Sequence, residues 1–240
     1  MIRPRWRKVM RDVSGNKTRT LLVVLSIAVG VFAVGTTAGT WVMMSHDLAA
    51  DYAAINPSSA ILFTAPFGDD QLRSTRNMGG VREAEGRFTL TVRLKTGPDE
   101  WRDLRLEAID DYQDIRLNKV RPESGAWPPP AQEALIERAS LGLTNSNVGD
   151  QLVIRLPDGG QRDLRIAGLA HDLNKVPSSF SGIPYGYITF DTLEWLGYPR
   201  SFNSLHVLVD GNVADGRHVR SVIDEVKDGI EQSGSTVYWM

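Results

Sequence analysis

Apolar and polar positions fall into two regimes along this chain. From Thr20 to Ser45 no charged residue occurs, and the run TLLVVLSIAVGVFAVGTTAGTWVMMS sets aside no face for water. That pattern predicts a helix surrounded by apolar material on every side. About 24 residues of helix reach ~36 Å, more than the ~30 Å of a bilayer's hydrocarbon core. Trp41 falls at the far end, where indole rings favour the membrane interface. Gly30, Gly35 and Gly39 lie inside the run. Glycine weakens a helix in water but is common in membrane helices, where it lets neighbours approach. A cleaved signal peptide has an apolar region of only about 7–15 residues. The longer run therefore predicts a retained transmembrane helix over residues 20–45.

The residues before it follow a different pattern. Trp6, Val9, Met10 and Val13 recur at i, i+3, i+4 and i+7, one helical face, while Arg5, Lys8, Arg11 and Asp12 fall on the others. Ser14-Gly15-Asn16 interrupts that pattern, and the spanning helix is expected to begin near Lys17. Charge sharpens the picture. Residues 1–19 carry Arg3, Arg5, Arg7, Lys8, Arg11, Lys17 and Arg19 against Asp12, whereas the rest of the chain carries 20 basic and 28 acidic residues. A basic amphipathic segment beside a spanning helix predicts a helix lying on the inner leaflet, with Arg5, Trp6, Lys8, Val9, Met10, Arg11, Lys17 and Arg19 at the membrane surface. Positive residues stay on the cytoplasmic side, so the N-terminus is expected in the cytoplasm and residues 46–240 outside. A nucleic-acid role is disfavoured, because the basic cluster is one short helix abutting a membrane span.

Beyond the span the period changes. Residues 46–55 continue the helix and stop before Asn56-Pro57. A strand is predicted at Ser59 to Thr64 and a short helix at Asp69 to Asn77. Phe88, Leu90, Val92 and Leu94 alternate within Arg87 to Thr96, and Leu104, Leu106 and Ala108 within Trp101 to Ile109. Gly97-Pro98-Asp99 joins these strands as a hairpin. A second hairpin pairs Gln151 to Leu156 with Gln161 to Leu169 around Pro157-Asp158-Gly159-Gly160. Between the hairpins lie a proline-rich connector with Trp127 packed on the domain, a strand at Glu133 to Glu137, and a short helix at Arg138 to Gly142. A strand at Leu205 to Val209, a helix at Val213 to Ser233 and a strand at Ser235 to Trp239 follow. The order predicts an α+β domain with mixed or antiparallel sheets and short helices, in one domain or two subdomains.

The search for chemistry yields little. The chain has no cysteine, which excludes disulfides and thiolate metal sites. His171-Asp172 has no second histidine or glutamate cluster near it in sequence and reads as a loop or strand-end pair. Ser181 lacks the flanking glycines of a nucleophile elbow. Asp110, Asp111 and Asp114 lack the spacing of a calcium loop and read as a solvated corner. Gly15-Asn16-Lys17-Thr18 lacks the full glycine spacing of a phosphate-binding loop and a strand before it. No enzyme activity, cofactor or metal is expected.

A resemblance adds to this. Residues 5–40 resemble the opening of FtsX-like and MacB-type ABC transporter permeases, with the junction Asn16-Lys17-Thr18-Arg19-Thr20-Leu21-Leu22 and the pair Gly30-Val31. The rest resembles the periplasmic core of that family in the order of its landmarks. These are Gly80-Val81, Glu85-Gly86-Arg87, Gly125-Ala126-Trp127, Glu133-Ala134-Leu135-Ile136, Leu141-Gly142-Leu143, Val148-Gly149-Asp150, Leu164 to Leu169 and Tyr187-Ile188. The resemblance implies a permease subunit of the cell (inner) membrane, served by a separate ABC ATPase and by membrane lipid, and paired as a homodimer or heterodimer of permeases. ATP-driven motion would pass through the helix extension to the outer domain, to export or extract lipid, lipoprotein or peptide, or to control a periplasmic enzyme. Such permeases carry at least four membrane helices, so the chain is expected to be the N-terminal part of a longer one. The rival expectations are a single-pass binding or sensor protein without an ATPase, and a secreted enzyme whose N-terminus is removed.

Overall fold

The computed structural model describes residues 17–239. These divide into two compact units, one ending at Asp51 and the other running from Tyr52. The first contains most of helix α1, Lys17–Ala54. Its Lys17–Thr40 portion is long and apolar enough to cross a membrane, and none of the window that qualifies it is buried. Leu21, Leu22, Val23, Val24, Leu25, Ile27, Val29, Val31, Phe32 and Val34 are between 50% and 72% exposed. A soluble protein's core helix would bury such residues. Thr36 and Thr37 hydroxyls donate to carbonyls one turn back, Phe32 and Ala33 respectively, which satisfies them without water.

The second unit is built on mixed sheets. The strands are β1 (Ala60–Phe67), β2 (Val81–Lys95), β3 (Trp101–Ile109), β4 (Arg121–Gly125), β5 (Glu133–Glu137), β6 (Gln151–Arg155), β7 (Gln161–His171), β8 (Tyr185–Thr189), β9 (Phe202–Val209) and β10 (Val237–Trp239). The helices are α2 (Asp69–Arg76), α3 (Leu141–Thr144), α4 (Ser178–Ser181), α5 (Phe190–Trp195) and α6 (Gly216–Gln232), with a 3₁₀ turn at Arg138–Ser140. Strands β10, β1, β9 and β2 pair in that order. Strand β2 continues through β3, β8, β5 and β7, and β6 joins β7 back to β2, so these strands close on themselves. The pairs β3–β8 and β5–β7 are parallel and the others antiparallel, so of the two expected arrangements, mixed or antiparallel, the sheet is mixed.

Side-chain alternation sends Leu90, Val92, Leu94, Leu104, Leu106, Leu152, Ile154, Leu164 and Ile166 into one core. Helix α6 adds Val222, Ile223, Val226 and Ile230, one face at helical spacing, and Asp215 caps its start by accepting from the Arg217 and His218 amides. A second cluster gathers Ile109, Tyr112, Ile115, Val120, Leu135, Ala170 and Tyr187, with Trp127 packed against it. The Trp127 indole donates to the Tyr112 carbonyl at 3.2 Å, as its expected packing on the domain requires. Strand β4 reaches β7 through two glycines. A Cβ at Gly168 would sit 2.1 Å from the Ser124 carbonyl oxygen, and one at Gly125 would sit 2.1 Å from that of Ala167. Only glycine admits so close a crossing.

The sequence pattern mislays some elements. Strand β2 begins at Val81 rather than Arg87, because its charged first half, Val-Arg-Glu-Ala-Glu-Gly, shows little alternation yet pairs with β9 from Val81↔Val209 to Arg87↔Ser204. Strand β4, with Pro122 inside it, and the short helices α4 and α5 are absent from the periodicity reading. The expected helix over Arg138 to Gly142 is a 3₁₀ turn leading into α3.

Candidate functional site

The centre of the second unit is a buried set of charges where β2 changes partners. Up to Arg87 the strand pairs with β9, and from Phe88 it pairs with β3. Arg87 stands at the changeover and is 1% exposed. Its guanidinium donates to Glu85 Oε1 at 2.8 Å, to Glu107 Oε1 at 2.5 Å, and to the Leu117 and Asn118 carbonyls at 2.5 and 3.2 Å. Glu107, on β3, accepts from Lys175 Nζ at 2.6 Å through its other oxygen. Glu85 Oε2 accepts the Arg116 and Leu117 amides at 2.7 and 2.9 Å. Two cations thus face two carboxylates, and each has a hydrogen-bond partner in place of water.

Electrostatics follow from this packing. Burial would raise the Glu107 pKa, but Lys175 and Arg87 hold it well below the usual carboxylate range. Burial likewise works against the Arg87 charge, yet Glu107 and Glu85 keep its pKa above the ordinary value. Asp172 is also buried, and burial raises its pKa although Tyr187 Oη donates to it at 2.6 Å. Desolvation also lifts the Tyr187 phenol well above its usual range.

The cluster reaches the chain just after helix α1. Asn118 donates through Nδ2 to Ser58 Oγ at 2.9 Å and to His206 Nδ1 at 2.7 Å, while its Oδ1 accepts the Ser58 amide at 2.9 Å. The Ser58 amide fixes which way the Asn118 amide points, so His206 Nδ1 carries no proton. Asn118 N donates to the Asn56 carbonyl at 3.0 Å and Lys119 N to that of Ile55 at 2.8 Å. Asn56 Nδ2 donates to the Arg116 carbonyl at 2.7 Å. Asn56 and Asn118 both adopt positive φ, 49° and 47°, a region asparagine tolerates better than most residues. Ile55 is buried at the start of this segment.

Burial, then the Arg87 charge, lowers the His206 pKa well below 6.5. A group with a depressed folded pKa is fully stabilising above its unfolded pKa and loses that contribution as pH falls toward the folded value. The domain should therefore lose stability below about pH 6.5, by up to ~1.4 kcal/mol per pH unit. His206→Gln, which keeps an acceptor for Asn118, should flatten the pH 5–6.5 part of the curve in urea titrations of the full chain. An unchanged slope would show that His206 is not the responsible group.

The structure separates the other sequence candidates. Asp172 accepts from Tyr187 and from the Asn174 amide, while the neighbouring His171 ends β7 and does not join it in a site. Arg200 bridges Asp110 and Asp191 at 3.1 and 3.2 Å, Asp114 pairs with Arg116 at 2.9 Å, and Asp111 accepts the Gln113 amide. Those carboxylates are held by cations and a turn rather than aimed at one point, and no cluster of metal-binding residues forms among the described residues. Ser181 is exposed, and its hydroxyl bonds to the Ile183 backbone. Of the predicted membrane-surface residues, Lys17 and Arg19 are exposed on the first turn of α1. Arg5, Trp6, Lys8, Val9, Met10 and Arg11 lie outside the described residues. Sequence reasoning used Arg87 as a strand start and family landmark, and it missed Glu107, Lys175, Asn118 and His206 as members of one cluster. The one signal available was three charged residues, Glu83, Glu85 and Arg87, at alternate positions leading into an apolar strand.

No family model and no curated protein matches this sequence. Among solved structures, the chain is similar to the extracellular domain of the noncanonic ABC-type transporter YknZ from Gram-positive bacteria, with 11% identity, 74% of this chain and 97% of that one covered, and a TM-score of 0.45. It is also similar to the periplasmic region of MacB from Actinobacillus actinomycetemcomitans, with 11% identity, 75% and 86% covered, and a TM-score of 0.44.

Proposed function

We propose that this chain is the N-terminal part of an ABC transporter permease subunit, with residues 1–19 as a basic cytoplasmic head whose last three residues open α1, 20–45 as the membrane anchor and 46–240 as an extracytoplasmic domain. A separate ATPase supplies the energy, and a second permease chain, identical or related, completes the unit. The work is mechanical: motion of the anchor is delivered outside to export or extract lipid, lipoprotein or peptide, or to control a periplasmic enzyme. The observation that carries this reading is the way the chain leaves helix α1. Residues 55–58 bond to the 116–119 loop, which is itself held by the buried charges of Arg87 and Glu85. A passive tether needs no such attachment. The landmarks shared with FtsX-like and MacB-type permeases support the same role.

The test pairs topology with coupling. Reporter fusions after residue 45 should be active only outside the cytoplasm. Trp6→Ser/Met10→Ser should leave that topology intact while reducing ATP-driven function of the full-length permease with its ATPase several-fold. A cytoplasm-active fusion at residue 240 would overturn the orientation. Normal ATP-driven function in the double variant would leave residues 1–19 as a simple basic anchor.

A further inference from the structure

We infer that Lys175 is a positioning residue for the segment that follows helix α1, acting on it through Glu107, Arg87 and Asn118. This deepens the mechanical reading above and rests on it for its use, though not for its geometry. Lys175 belongs to a loop, residues 172–182, whose tip is open to solvent: Phe180 is 84% exposed and Val176 59%. Between those two exposed side chains the segment is pinned by Ser178, whose Oγ donates to the Ala139 carbonyl at 2.6 Å. The Lys175 ammonium turns inward to Glu107 at 2.6 Å and also lies 5.7 Å from the centre of the Tyr185 ring.

From there every link is short and directed. Glu107 uses its second oxygen for Arg87, and Arg87 uses its far nitrogen for the Leu117 and Asn118 carbonyls. Those two donations fix the peptide from which Asn118 reaches Ser58, Asn56 and His206. Glu85 holds the same loop from its other side through the Arg116 and Leu117 amides. If the Lys175 ammonium is withdrawn, Glu107 is left with one cation, and the Arg87 guanidinium is drawn toward the carboxylate and away from the two carbonyls. The 116–119 loop then loses donors that no water replaces, because Arg87, Glu107 and Asn118 are all buried. The relay thus connects an exposed loop at one end to residues 55–58 at the other through a chain of buried hydrogen bonds.

Amide hydrogen exchange on the full chain in lipid nanodiscs, without any ATPase, tests this. Lys175→Met should raise exchange at Ser58, Asn118 and Lys119 more than tenfold while core amides of β3 and β8 change less than threefold. Lys175→Gln, a milder change that keeps a donor, should shift the same amides in the same direction by less, and Lys175→Arg should restore them. Exchange changes confined to residues 172–182, or a uniform rise across the core, would overturn the relay. Because no ATPase is present, failure here would leave the permease reading standing, and a failed coupling assay would leave the relay standing.

Discussion

Arg87→Met is expected to destabilise the second unit by about 3–5 kcal/mol, the cost of leaving one member of a buried charge pair without its partner. Glu107 would keep only Lys175, and the Leu117 and Asn118 carbonyls would lose their donor inside the protein. Thermal unfolding of the full chain in detergent, followed by tryptophan fluorescence, should show a midpoint lowered by roughly 6–20 °C. The control is Arg87→Met/Glu107→Leu. Replacing a buried pair by apolar residues of similar volume is often near neutral, so the double variant should regain at least half of the lost midpoint. It should not regain the protection of residues 116–119, since the donor to the Leu117 and Asn118 carbonyls is still missing. A midpoint drop below about 2 °C for Arg87→Met would mean that water or a rearranged side chain replaces the guanidinium and that the cluster is not structural.

The second large effect concerns the anchor. Ile27→Arg/Val31→Arg places two charges near the middle of the apolar run. On the insertion scale each exchange costs about 3–4 kcal/mol, from roughly −0.3 to −0.6 for the apolar residue to about +2.5 to +3.5 for arginine. The pair together outweighs what the Leu, Ile, Val and Phe residues of the Lys17–Thr40 portion contribute, ten residues at about 0.3–0.6 kcal/mol each. Membrane fractionation with an alkaline carbonate wash should show the wild-type chain retained in the pellet and the double variant largely released or degraded. Retention of the variant would mean that the helix is held by another protein rather than by lipid. Because the substituted residues lie in the unit ending at Asp51, the second unit should fold normally in any released protein, with amide exchange in β3 and β8 unchanged.

Much of the architecture was legible from local pattern. The uncharged run specified helix α1 because a spanning segment must satisfy its backbone internally and present apolar side chains all round. The hairpins β2–β3 and β6–β7 were legible because alternation and turn residues are local signals, as in Leu90, Val92 and Leu94 facing Leu106, Leu104 and Arg102 across Gly97-Pro98-Asp99.

The tertiary structure alone decided how distant segments meet. Arg87, Glu107, Asn118, Lys175 and His206 are spread over more than a hundred residues and belong to different strands and loops. Apart from the alternation of Glu83, Glu85 and Arg87, nothing in their local sequence distinguishes them from solvated polar residues. Burial follows from which strand covers which, and strand β2 buries Arg87 only because it exchanges β9 for β3 at that residue. The same holds for Gly125 and Gly168, whose role shows only once the crossing of β4 and β7 leaves no room for a Cβ. Periodicity reports which face of an element is apolar, because that preference is set by each side chain's own transfer free energy. The position of a buried charge depends instead on the partner that neutralises it, and that partner is chosen by long-range strand pairing.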